Sequence, residues 1–93
     1  MHVGVCRIEF QIPGGDSLKA KRRVVSSIKD RVAQRFRVAI AEVGRLDSSR
    51  FGELGIACVS NDARHATSIL TNVANFIESS YPIIVVDVDT ELW

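Results

Sequence analysis

Lys19, Lys21, Arg22 and Arg23 crowd into the start of an apolar-periodic segment, Ser17–Arg37, directly after Gly14 and Gly15. Residues of these types in this order suit one kind of chemistry, the holding of an oxyanion. Ammonium and guanidinium groups supply charge, and backbone N–H groups at a glycine turn and a helix start supply fixed donors. The placement is unusual, because the N-terminal pole of a helix is already positive and each cation there costs about 0.3–1 kcal/mol. Arg45 and Arg50, in the polar stretch Gly44–Gly52, are the remaining cations that a fold could bring alongside.

Other sets of reactive residues are poorly arranged for catalysis. Cys6 and Cys58 stand in apolar runs with neither CxxC nor Cys/His spacing, so they read as buried free thiols. His2 and His65 lack metal-ligand spacing even with Asp62 nearby, and no Ser or Cys has a recognisable base partner. The expectation is a protein with no metal and no cofactor.

The elements that must position the cations follow from periodicity. Val3–Ile12 alternates as a half-buried strand, with Cys6, Ile8, Phe10 and Ile12 inward and Arg7, Glu9 and Gln11 outward. Pro13-Gly14-Gly15 ends it, and Asp16 or Ser17 can cap the following helix. Leu18, Val25, Ile28, Val32 and Phe36 fall within roughly 80° of a helical projection, widened to about 120° by Val24. Lys21 lies inside that apolar arc. Either it snorkels past the end of the core or it is aimed at a carboxylate or ligand. Val38–Val43 is a second strand that can face either way. Glu53–Ser60 is a third, apolar on both faces, and therefore central. Ser60, Asn61 and Asp62 supply cap chemistry for a helix carrying Ala66, Ile69, Leu70, Val73 and Ile77. Ile83–Leu92 closes the chain, with Ile84, Val86, Val88 and Leu92 inward and Asp87, Asp89 and Glu91 outward.

Ninety-three residues make a single domain, 1–93, able to build one core. The order β-α-β-β-α-β at this length predicts an α+β, ferredoxin-like fold: a four-stranded antiparallel sheet of order 4-1-3-2 with both helices on one face. Net charge is only +1, but Lys19–Arg37 holds eight cations and one acid, whereas Glu78–Trp93 holds four acids and no cation. That asymmetry predicts a polarised surface. No apolar run is long enough to span a membrane and no leader pattern opens the chain, so the expected location is the cytoplasm.

Traced through this topology, the Pro13–Asp16 loop, the first helix start, the Gly44–Gly52 loop and the Ser79–Pro82 turn share one end of the sheet. Lys19, Lys21, Arg22, Arg23, Arg45 and Arg50 then converge with the backbone of Gly14 and Gly15. The first functional reading is phosphate binding at that end, with RNA or a ribosomal subunit as partner; the plain alternative is a solvated charged face. RRM-type recognition is disfavoured, because the outward positions of the central strands carry no aromatic residue. A second reading is a homodimer or partner contact through Val3, Val5, Gly55, Ala57, Val59 and the edge second strand. A third, an acylphosphatase-type enzyme, shares the fold, but IPGGDSLKAKRR does not resemble that family's VQGVxFR loop and Val38–Val43 holds no asparagine.

Three stretches, MHVGVCRIEFQIPGGDSLKAKRRVVSSIKDR, AEVG at Ala41–Gly44 and ELGIACVSND at Glu53–Asp62, closely resemble the YlxP-like family of small bacterial domains of unknown function. The resemblance runs from Met1 into the last strand. It implies a ferredoxin-like fold, and a role near the ribosome, because genes of this family tend to sit beside those for translation initiation and ribosome maturation. It supplies no catalytic residues to carry over. Ala20 stands where members often have Glu, and Gly15 where they commonly have a bulkier residue.

Overall fold

Period-2 and period-3.6 patterning resolve into six elements: β1 (His2–Gln11), α1 (Leu18–Phe36), β2 (Ala39–Gly44), β3 (Phe51–Ser60), α2 (Ala63–Ser80) and β4 (Ile84–Leu92). The computed structural model describes all 93 residues. The strands form one sheet in the order β2-β3-β1-β4 with every neighbouring pair antiparallel, the predicted 4-1-3-2 arrangement. Cys6, Ile8 and Phe10 of β1 and Leu54, Ile56 and Cys58 of β3 meet Val25, Ile28 and Val32 of α1 and Ala66, Leu70, Val73 and Ile77 of α2 in a single core. The opposite face of the sheet is left open.

Local signals set the helix ends. Ser17, not Asp16, caps α1, its Oγ accepting from the Ala20 N–H at 3.2 Å, and Arg37 ends it in the left-handed region at φ 54°. Asp62 caps α2 by accepting from the Arg64 N–H at 2.9 Å. Both α2 and its apolar stripe lie where the periodicity placed them.

Three strand expectations need correction or completion. In β2 the undecided facing resolves with Ile40 and Glu42 toward the helices, opposite Ile56 and Leu54, and with Ala39 and Ala41 on the open face. β3 begins at Phe51, so Gly52 is a strand residue and does not close the loop. It pairs with Phe10, and a Cβ there would stand 2.2 Å from Phe10 Cζ; the position is glycine because a core ring occupies the space. In β4 the register slips between Glu9 and Phe10 of its partner, so Val85 faces the core side opposite Phe10 and Ile84 goes to the open face opposite Gln11. Val86 falls in this bulge and is exposed, contrary to its expected inward placement. Beyond the bulge the expected phase holds, with Asp87, Asp89 and Glu91 aligned with the open-face residues of β1.

Lys21 is the one charged residue inside the core, 1% exposed. It does not snorkel outward. Its ammonium donates to the Arg45 carbonyl at 2.6 Å and pairs with Glu42 Oε2 at 2.9 Å. Glu42 Oε2 is itself buried and has no hydrogen bond, so it is held by charge rather than by a directed N–H. This pair joins the second turn of α1 to β2 and to the loop beyond it.

Removing one partner of a buried pair strands the other, at a typical penalty of about 3–5 kcal/mol. Lys21→Met alone should therefore lower stability by about 3 kcal/mol in urea unfolding, whereas Lys21→Met with Glu42→Leu should recover most of the loss. Gly52→Ala should cost about 1–3 kcal/mol by overpacking against Phe10, read as a lower urea midpoint with an unchanged slope.

Candidate anion-binding end

The loop from Ile12 to Ser17 is pinned to the loop between β2 and β3. The Ile12 N–H donates to the Arg50 carbonyl at 2.6 Å, and Ser49 Oγ donates to the Gly15 carbonyl at 3.2 Å. Gly14 adopts φ 69°, which a side chain would strain. The Gly15 N–H is not free, because it turns back to the Ile12 carbonyl at 3.1 Å. The N–H groups of Gly14, Asp16 and Ser17 have no protein acceptor, so the loop both shapes this end of the sheet and leaves donors there.

The six candidate cations divide by environment. Lys21 is sequestered with Glu42, and a ligand at the surface does not reach it. Arg45 stands at the turn out of β2 with φ 59°, its carbonyl directed inward to Lys21 and its side chain reaching the open face. There its Nη2 donates to Glu9 Oε1 at 2.8 Å and its guanidinium lies 5.2 Å from the Phe51 ring centroid. Lys19, Arg22, Arg23 and Arg50 remain, all exposed and none with a carboxylate within 4 Å. Arg50 belongs to this group through its backbone, which holds Ile12 and packs beside Gly15.

The open face consumes its own charge. Arg7 donates to Glu53 at 2.6 Å and to Asp87 at 3.4 Å, and the Glu53 hydrogen bond leads the causes that raise the pKa of its guanidinium. Phe51 lies on this face, an aromatic the sequence pattern assigned to a loop, but Arg45 covers it. Toward β2 the face becomes apolar: Val5, Ala39, Ala41, Val43, Gly55 and Ala57 line a shallow groove of about 250 Å³.

Further along α1, Arg31 and Arg35 sit over the Phe76 ring at 5.1 and 5.0 Å, and Arg31 also lies 5.4 Å from Tyr81. Tyr81 Oη is 2.9 Å from Ser27 Oγ and accepts from Arg31 Nη1 at 3.3 Å. Neither arginine meets a carboxylate, and both seal the seam between α1 and α2. This cluster and Glu42 were not singled out from the sequence. A lysine inside an apolar arc was the available signal for Glu42, since such a residue requires a buried acceptor.

The two cysteines are free and buried. Burial pushes the Cys6 thiol up, a hydrogen bond from Thr90 Oγ1 at 3.7 Å opposes this, and Asp89 adds to it. Such a thiol stays neutral and is a poor nucleophile near neutral pH. No group of three His, Cys, Asp or Glu side chains is arranged to hold a metal ion, and no helix is long and apolar enough to cross a membrane.

Comparison with known proteins agrees with this picture at the level of fold and family. A de novo designed protein with a ferredoxin fold superposes with a TM-score of 0.59 at 14% identity, covering 100% of this chain and 83% of the design. A C-terminal segment of the alpha subunit of aIF2 from Pyrococcus abyssi gives a TM-score of 0.53 at 14% identity over 97% of this chain and 49% of that one. At these identities the likeness is one of fold. Closer in sequence is the uncharacterized protein YlxP of Bacillus subtilis (strain 168), 36% identical over 77 residues, which are 83% of this chain and 84% of the relative. The family described as protein of unknown function DUF503 matches residues 3–90, and with YlxP as a relative over most of its length this chain belongs to that family.

Proposed function

We propose that this protein binds the phosphate backbone of RNA, in a ribosomal setting and without catalysis, through Lys19, Arg22, Arg23 and Arg50. One observation carries the reading. All four ion pairs draw their carboxylates from the sheet and use Arg7, Lys21 or Arg45 as cation, while the exposed cations at the α1 start have none. Like charges gathered at the positive pole of a helix repel one another and the helix dipole, and a polyanion relieves both. The gene context of the YlxP-like family supports a ribosomal source for the RNA.

Each phosphate contact on a single strand contributes roughly 0.7 to the slope of log affinity against log salt. Arg22→Glu combined with Arg23→Glu should weaken binding to ribosomal subunits and to single-stranded RNA at least tenfold at low salt, and reduce the slope by roughly 1.4. Unchanged affinity and slope would retire this reading.

A second reading, a contact with another copy of the chain on the open face, is favoured by the apolar groove between β2 and β3. Small side chains there allow close approach of a second sheet. Sedimentation at high protein concentration should then show a dimer that Ala57→Glu returns to monomer; a wild-type monomer throughout counts against it.

A further inference from the structure

β4 breaks the burial rule that the other strands follow. It pairs only with β1, so its outer row of N–H and C=O groups has no strand partner. Val88 and Leu92 stand opposite Ile8 and Gly4 and therefore on the helix side of the sheet, yet they are 44% and 45% exposed. Val86 in the bulge is 53% exposed and Ile84 on the open face 52%. Asp87, Asp89 and Glu91 alternate with this apolar row, and only Asp87 meets a cation, Arg7, at 3.4 Å. Four exposed aliphatic residues on one nine-residue strand with a free outer edge form a ready template for pairing.

We infer that β4 is a docking edge for an extended segment of another protein whose side chains alternate between aliphatic and basic. Such a segment adds as a fifth strand, its main chain satisfying the free edge, its aliphatic side chains covering Val88 and Leu92, and its cations facing Asp87, Asp89 and Glu91. Charge argues against a second copy as the occupant. β4 laid antiparallel against β4 keeps open face beside open face and sets carboxylates beside carboxylates, which is destabilising, and laid parallel it turns the second sheet over and offers those carboxylates aliphatic neighbours but no cation. The other free edge, β2, contributes Glu42 and no cation between Ala39 and Gly44. Acids on an edge strand can also serve simply to discourage aggregation, but the exposed aliphatic row works against that purpose. Together they make an edge that rejects copies of itself and accepts a basic strand.

The test uses the whole protein and two blocked peptides as long as β4, one alternating valine with lysine and one alternating valine with glutamate. The lysine peptide should bind saturably, weaken with added salt, and slow amide exchange along Ile84–Leu92. Asp87→Asn with Asp89→Asn should weaken it at least fivefold, and Asp87→Lys with Asp89→Lys should transfer binding to the glutamate peptide. The inference is overturned by no saturable binding to the wild-type protein, by equal binding of both peptides, by exchange protection elsewhere than β4, or by self-association through β4 without peptide.

Discussion

A buried ammonium, that of Lys21, sets the geometry on which this end of the molecule depends. Taking a charge out of water is tolerable only when an opposite charge and oriented acceptors replace the solvent. Glu42 and the Arg45 carbonyl do so here, at 2.9 and 2.6 Å. The requirement reaches three segments at once. It brings the second turn of α1 over β2, decides which side of β2 faces the helices, and holds the turn after β2 with Arg45 in the left-handed region. That turn then sends the Arg45 side chain to Glu9 on the far face of the sheet. One residue thus ties the interior to the open face, through its carbonyl on one side and its guanidinium on the other.

The distribution of charge follows from this division. Sheet carboxylates neutralise the cations that lie beside them, and the helical layer keeps cations with no acidic partner. A net charge of +1 conceals this polarity. The paired positions of the open face read as structure, because their fields are cancelled locally. The unpaired positions on α1 project a field into solvent, where a polyanion would respond to it. The two halves of the surface therefore offer different chemistry, basic on the helical layer and acidic along β4.

Much of the architecture was legible from periodicity. The inward residues of β1 and β3, the stripes of both helices, the α2 cap at Asp62 and the order of strands all follow from short-range patterns that a single core must satisfy. What was not legible depended on partners distant in sequence. Gly52 looks like a loop residue until the Phe10 ring is found in its place. The β4 bulge arises because β1 and β4 differ by one residue in their pairing, which no feature of β4 alone announces, and it turns Ile84 from the expected inner face to the outer one. Of the six candidate cations only Lys21 stood apart in the sequence, by its place in the apolar arc, because residue type does not report whether a carboxylate lies within reach.

The sequence alone therefore determined the fold class, the single core, the family resemblance and the crowding of cations at the start of α1, because these depend on composition and local spacing. The tertiary structure decided which of those cations are free. Ion pairing is a matter of a few ångströms between residues far apart along the chain, and it removed Lys21 to the interior and Arg45 to the open face while leaving Lys19, Arg22, Arg23 and Arg50 in solvent. It also decided that the last strand, whose alternation reads as half-buried and which the expected strand order already set at an edge, keeps its aliphatic side largely uncovered.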